Sequence, residues 1–235
     1  MLVITGIRNW YCEVNLSIDL IDNFVRSTEK QVAESIESFR AARADGTLDV
    51  YVGNHNSDVE TDDSFEPARI VEVHRGFDSE TWNLNELFEK YFPNLQRRSA
   101  LLTLWSFFEY ELHKLCLLYQ REDALKLSVV DLSGKGIDKA VNYLEKIVGL
   151  EGLRQTNHWQ QLKDLQEIRN AVAHNDGRLK GRDGIPKKTV LDAMKRVGYV
   201  KGDDELHFEQ EFLFNALTIC RNYFKVIGTA IKKKG

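Results

Sequence analysis

The chain has 235 residues, 43% of them hydrophobic and 29% charged, and a formal net charge of −4, which is enough chain for one large domain or a core domain with an appendage. No run of about 18 uncharged apolar residues occurs, which excludes a membrane-spanning helix, and the opening MLVITGIRNWYCEVN lacks the basic, apolar and small-residue succession of a secretory signal. Three widely spaced cysteines, Cys12, Cys116 and Cys220, form no CxxC pair and read as buried thiols of a reduced cytoplasmic protein, not as a zinc site.

Residues 1–15 mix apolar and polar side chains and read as an extended segment. From 16 to 44, Ile18, Ile21, Phe24, Val25, Val32, Ile36 and Phe39 recur mostly three or four apart, which predicts a helix, ended at Asp45-Gly46. Residues 46–68 are acidic and rich in Asn, Asp and Ser, and read as a connector; Ile70, Val71 and Val73 then allow one short strand. Thr81–Tyr91 predicts a short helix closed by Pro93. Asn94–Gln120 is a long one whose stripe is Leu101, Trp105, Phe108, Leu112, Leu115 and Tyr119, the spacing of a helix packed on another. The aromatics Trp105, Phe107, Phe108 and Tyr110 read as core.

Ser133-Gly-Lys-Gly is a turn before a helix at Ile137–Val148. Asn157 is placed to cap a helix running to His174, and Asn175-Asp176-Gly177 stops it, with Gly177 suited to a left-handed cap. Lys187–Val197 predicts a short helix and Phe208–Lys232 a last long one. The fold class is therefore all-α, an antiparallel helical bundle over residues 93–235, preceded by a mostly helical N-terminal region, 1–92, with a short strand. The two parts differ in charge: 8 Lys/Arg against 18 Asp/Glu in 1–92, and 24 against 18 in 93–235. Gly177–Lys201 alone holds Arg178, Lys180, Arg182, Lys187, Lys188, Lys195, Arg196 and Lys201 against two acids. Such a stretch suits a polyanion or, as charge runs usually are, a solvated loop.

The segment WQQLKDLQEIRNAVAHNDGRL, residues 159–179, is where chemistry concentrates. At 100° per residue, Leu162, Leu165, Ile168 and Val172 form an apolar arc. Arg169 falls inside it, where a charge needs a partner. Asn170 and His174 stand four apart on one face. His174 lies in the last turn, where the helix dipole favours an imidazolium.

Arg169-Asn170-Ala171-Val172-Ala173-His174 resembles the Arg-x4-6-His motif of the HEPN superfamily, in which a polar residue commonly follows the arginine. The helix at Leu104–Leu118, with Phe107-Phe108-Glu109 and Leu112, is similar to an early HEPN helix, so the resemblance covers roughly residues 95–235. It implies a bundle of four or five helices and a homodimer that brings two motifs together. The activity it implies is a metal-independent endoribonuclease without cofactor, acting in toxin–antitoxin, phage-defence or RNA-processing systems beside an antitoxin or another defence partner. Catalysis would fall to Arg169, His174 and Asn170, and RNA contact to Arg178, Lys180, Arg182, Lys187 and Lys188. Some HEPN toxins paired with a nucleotidyltransferase carry a tyrosine two residues after the histidine. Asp176 stands there, which argues against that partnership.

Blander readings stand beside these. Arg169 is also explained by an ion pair with Glu109, which lies on the apolar side of its own helix and serves equally as an orienting group. His174 is also explained as a helix C-terminal cap. A non-catalytic module that binds RNA or protein, or only dimerises, uses the same residues without turnover. No HExxH, P-loop or Gly-x-Ser-x-Gly is present, which removes the corresponding hydrolases and NTPases. The charge of residues 1–92 is opposite to that of the basic loop, so that region is expected to restrain the site, and its deletion to raise RNA affinity.

Overall fold

The computed structural model describes residues 6–53, 69–180 and 184–234. The fold is predominantly helical, with 69% helix against 8% strand, and among the described residues the strands form two small sheets. The chain divides into two compact units, Met1–Thr28 with Arg97–Gly235, and Glu29–Gln96. Among the described residues no helix is long and apolar enough to cross a membrane.

Helix α1 spans Ile7–Ala44. Its buried side chains Trp10, Val14, Ile18, Val25, Val32 and Phe39 continue one stripe at steps of four and seven, so residues 7–15 are helical and not extended, while residues 1–5 lie outside the described residues. Thr47 N–H returns to the Ala42 carbonyl at 2.9 Å, and Gly46, at φ +62°, supplies the left-handed turn that ends the helix.

In the Glu29–Gln96 unit, β1 (Asp49–Gly53) pairs antiparallel with β2 (Arg69–His74), and β2 with β3 (Phe77–Asp78). The expected connector thus contributes a strand, and the single expected strand is the middle of three; residues 54–68 lie outside the described residues. Arg75 and Gly76, at φ +50° and +83°, join β2 to β3 by the two-residue turn whose twist matches antiparallel strands. This unit has its own core of Phe39, Leu84, Leu87 and Phe88, with Phe77 and Phe92 against it.

Helix α2 (Leu84–Glu86), capped by the Asn83 side chain, runs into a π-helical turn, Leu87–Tyr91, and then into α3 (Phe92–Glu122). Pro93 therefore does not close a helix. A proline inside a helix crowds the carbonyl four residues back. The widened turn, in which Phe92 N–H reaches Leu87 C=O, accommodates it without a break.

The larger unit is completed by α4 (Gly136–Lys146), α5 (Asn157–Asn175), α6 (Lys188–Val197), β4 (Val200–Lys201), β5 (His207–Phe208) and α7 (Phe212–Lys234). One core joins Trp10, Val14, Ile18 and Val25 of α1 to the stripe Leu101, Trp105, Phe108, Leu112, Leu115 and Tyr119 of α3, and to residues of α4 to α7. Phe224 meets Trp10 edge-on at 5.7 Å and Phe108 at 4.8 Å. Removing residues 1–92 would thus open this core, not merely uncover a surface. Two core assignments differ from expectation: Tyr110 is 51% exposed, under Lys114, and Cys12 is exposed while Cys116 and Cys220 are buried. Burial pushes the Cys116 thiol up to about 12.

Candidate active site

Thr156, one residue before Asn157, caps α5 by accepting from Trp159 N–H at 3.2 Å. Leu162, Leu165, Ile168 and Val172 are buried, which fixes the rotation of α5 and turns Arg169 toward α3. The Arg169 guanidinium donates to Asn170 Oδ1 at 3.0 Å and to Glu109 Oε2 at 3.4 Å, and lies over the Trp105 ring, 5.9 Å from its centroid. The Arg169 and Glu109 side chains are 21% and 29% exposed. The pair is therefore only partly screened, and removing either member strands a charge. Arg169 Nε is buried without an acceptor among the described residues.

Glu109 is itself held in a tight place. A Cβ on Gly136 would fall 2.7 Å from Glu109 Oε1 and 3.7 Å from Gln166 Nε2, and Gly136 has φ +52°. Only glycine lets the first turn of α4 come so close, and the partial positive charge of a helix start suits a carboxylate there. Arg169, Asn170, Glu109, Trp105 and Gly136 thus form one constellation drawn from three helices.

His174 stands outside it. The side chain is exposed and makes no hydrogen bond or ion pair with another described residue. Helix α5 ends just beyond: Asp176 and Gly177 take φ +50° and +71°, and both N–H groups return to Ala171 C=O. Asn175 then clamps the following loop, donating to Arg178 C=O at 2.7 Å and Lys180 C=O at 3.1 Å. The loop pairs with the segment before β5: Leu179 N–H meets Asp204 C=O at 2.9 Å and Leu206 N–H meets Gly177 C=O at 2.8 Å.

The basic stretch is less free than its composition implies. Lys180 is paired with Asp204, whose hydrogen bond raises the lysine above its ordinary value. Arg196 grips the buried Asp164 with two bonds of 2.8 Å, and Lys201 is paired with Glu209. Arg178, Lys187, Lys188 and Lys195 are exposed; Arg182 lies outside the described residues. Sequence reading missed the acids that neutralise three of the eight cations, because Asp164, Asp204 and Glu209 all lie outside the stretch. It also missed Asn175 as a loop clamp and Arg98, whose side chain reaches the end of α5 from α3. Among the described residues no group of three or more His, Cys, Asp or Glu side chains is placed to hold a metal ion.

Comparison of the chain with family models, with characterised proteins and with solved structures finds no match.

Proposed function

We propose that the chain is a metal-independent endoribonuclease of HEPN type, acting as a toxin or phage-defence effector. The observation that carries the proposal is the end of α5. A partly buried arginine with its own carboxylate and amide partners, Arg169 with Glu109 and Asn170, is followed within two turns by an exposed histidine. The exposed cations Arg178, Lys187 and Lys188 come next in the chain.

These residue types suit cleavage of RNA by its own 2′-hydroxyl. A base removes the hydroxyl proton, the 2′-oxygen bonds to phosphorus, and the bond from phosphorus to the 5′-oxygen breaks as that oxygen takes up a proton. His174 is the acid/base group. Arg169 binds the phosphate oxygens and stabilises their added charge; Asn170 positions the guanidinium. One histidine serves one proton transfer at a time, so a second copy of the chain, contributing its own His174, completes the pair in a homodimer. RNA is the partner that the exposed cations fit, and an antitoxin or another defence protein is the partner that would hold such an activity in check.

A second reading, a non-catalytic HEPN module for RNA binding, protein binding or dimerisation, draws on one observation. No described residue fixes the tautomer or orientation of His174, as a carboxylate or carbonyl bonded to the other ring nitrogen does in many acid/base sites. The two readings separate on product chemistry. Total cellular RNA incubated with the purified protein in EDTA should yield fragments ending in 2′,3′-cyclic phosphate; intact RNA that is nevertheless bound would favour the binding module.

A further inference from the structure

Arg98, on α3, is a buried arginine that reaches the end of α5, and no step of the proposed chemistry uses it. Its side chain is 6% exposed. The guanidinium is ion-paired with Glu205, donates to Leu206 C=O at 3.3 Å, and stands 3.6 Å from the Asp176 carboxylate. Its Nε is buried without an acceptor among the described residues. A Cβ on Gly177 would lie 2.6 Å from Nη2, 2.7 Å from Cζ and 3.0 Å from Nε, so the glycine backbone rests on the guanidinium itself.

These contacts meet at one junction. Asp176 and Gly177 are the left-handed residues that end α5, two and three residues after His174. Glu205 and Leu206 belong to the segment that pairs with Gly177–Leu179. Arg98 therefore fastens the helix end, the turn and the pairing segment with one planar fork, which an ammonium group cannot reproduce. Without it, the last turn of α5 and the start of the basic loop lose their common anchor.

We infer that Arg98 is a positioning residue. Through Gly177 and Asp176 it sets where His174, at the end of α5, and Arg178, at the start of the basic loop, stand. The inference rests on the Arg169/His174 site being the functional one.

The test is Arg98→Lys in the full-length chain, with Glu205→Gln as a second variant that weakens the same anchor from its more exposed side. Amide hydrogen exchange at Gly177, Leu179 and Leu206 should quicken at least tenfold, while exchange in the middle of α3 and α7 stays as in wild type. The His174 ring signals should shift while those of His113 and His158 do not. In RNA cleavage, kcat should fall at least tenfold and KM change by a smaller factor, because His174 and Arg178 depend on the anchor whereas Lys187 and Lys188 stand at the start of α6. Unchanged exchange and an unmoved His174 signal in both variants would overturn the inference, as would an unchanged kcat beside faster exchange. A wild-type protein that fails to cleave RNA would overturn the nuclease reading alone; the exchange rates and the His174 signal then decide the role of Arg98 by themselves.

Discussion

Arg169 concentrates the physical tension of the site. A guanidinium only 21% exposed is tolerated on an apolar arc because Glu109, Asn170 and the Trp105 face meet it. Glu109→Gln leaves that charge uncompensated and should cost about 1 kcal/mol of unfolding free energy at neutral pH, measured by urea denaturation, with weaker cleavage because the guanidinium is no longer steered. Glu111 offers a separate check, one unconnected with activity. Burial raises its carboxyl above the ordinary 4.5, with Lys114 opposing and Glu13 adding to the rise. A raised folded-state value means that its contribution to stability is fully present below about pH 4.5 and is lost as pH rises through the higher folded value. Glu111→Gln should therefore melt at a higher temperature than wild type at pH 7, and the advantage should vanish near pH 4. Equal melting temperatures at pH 7 would contradict this account of Glu111.

At the scale of elements, α4 reaches the site through Gly136. Gly136→Ala combines left-handed strain with a 2.7 Å approach to Glu109 Oε1. Gly149, at φ +82°, has nothing within 4 Å of an added Cβ, so Gly149→Ala carries the strain alone, about 1 kcal/mol. Gly136→Ala should lose more stability than that and lower RNA cleavage, whereas Gly149→Ala should leave cleavage unchanged; denaturation curves and cleavage rates on both variants check it. Most of the helices were legible in the sequence because the apolar spacing of Leu101 to Tyr119 and of Leu162 to Val172 is set by burial on one face. The start of α1 was not, because Trp10 and Val14 are only two marks of a period. Nor was passage through Pro93, which depends on a π-helical turn that no local residue type announces. Arg169, Asn170 and Glu109 were legible as candidates since a charge on an apolar arc requires a partner. Arg98 was not: the feature that exposes it is a missing Cβ at Gly177, 79 positions along the chain.

For the whole molecule, the net charge of −4 does not forbid RNA binding, because Arg178, Lys187 and Lys188 are exposed while Lys180, Arg196 and Lys201 are occupied by acids. Binding to single-stranded RNA should weaken with salt, and each phosphate contact removed should reduce the slope of log K against log salt by about 0.7. The double variant Lys187→Ala/Lys188→Ala should show that reduction twice over, and Lys180→Ala less, by titration at several salt concentrations. A homodimer that uses both His174 side chains further requires that an excess of inactive His174→Ala protein, once subunits exchange, lowers the activity of wild type, because each mixed dimer holds one histidine of the pair. The central claim rests most directly on single-turnover cleavage of RNA in EDTA by wild type and by His174→Ala. The account predicts cleavage by wild type and a loss of about a hundredfold or more in the variant, with its melting temperature unchanged; a His174→Ala protein that cleaves as fast as wild type would contradict it.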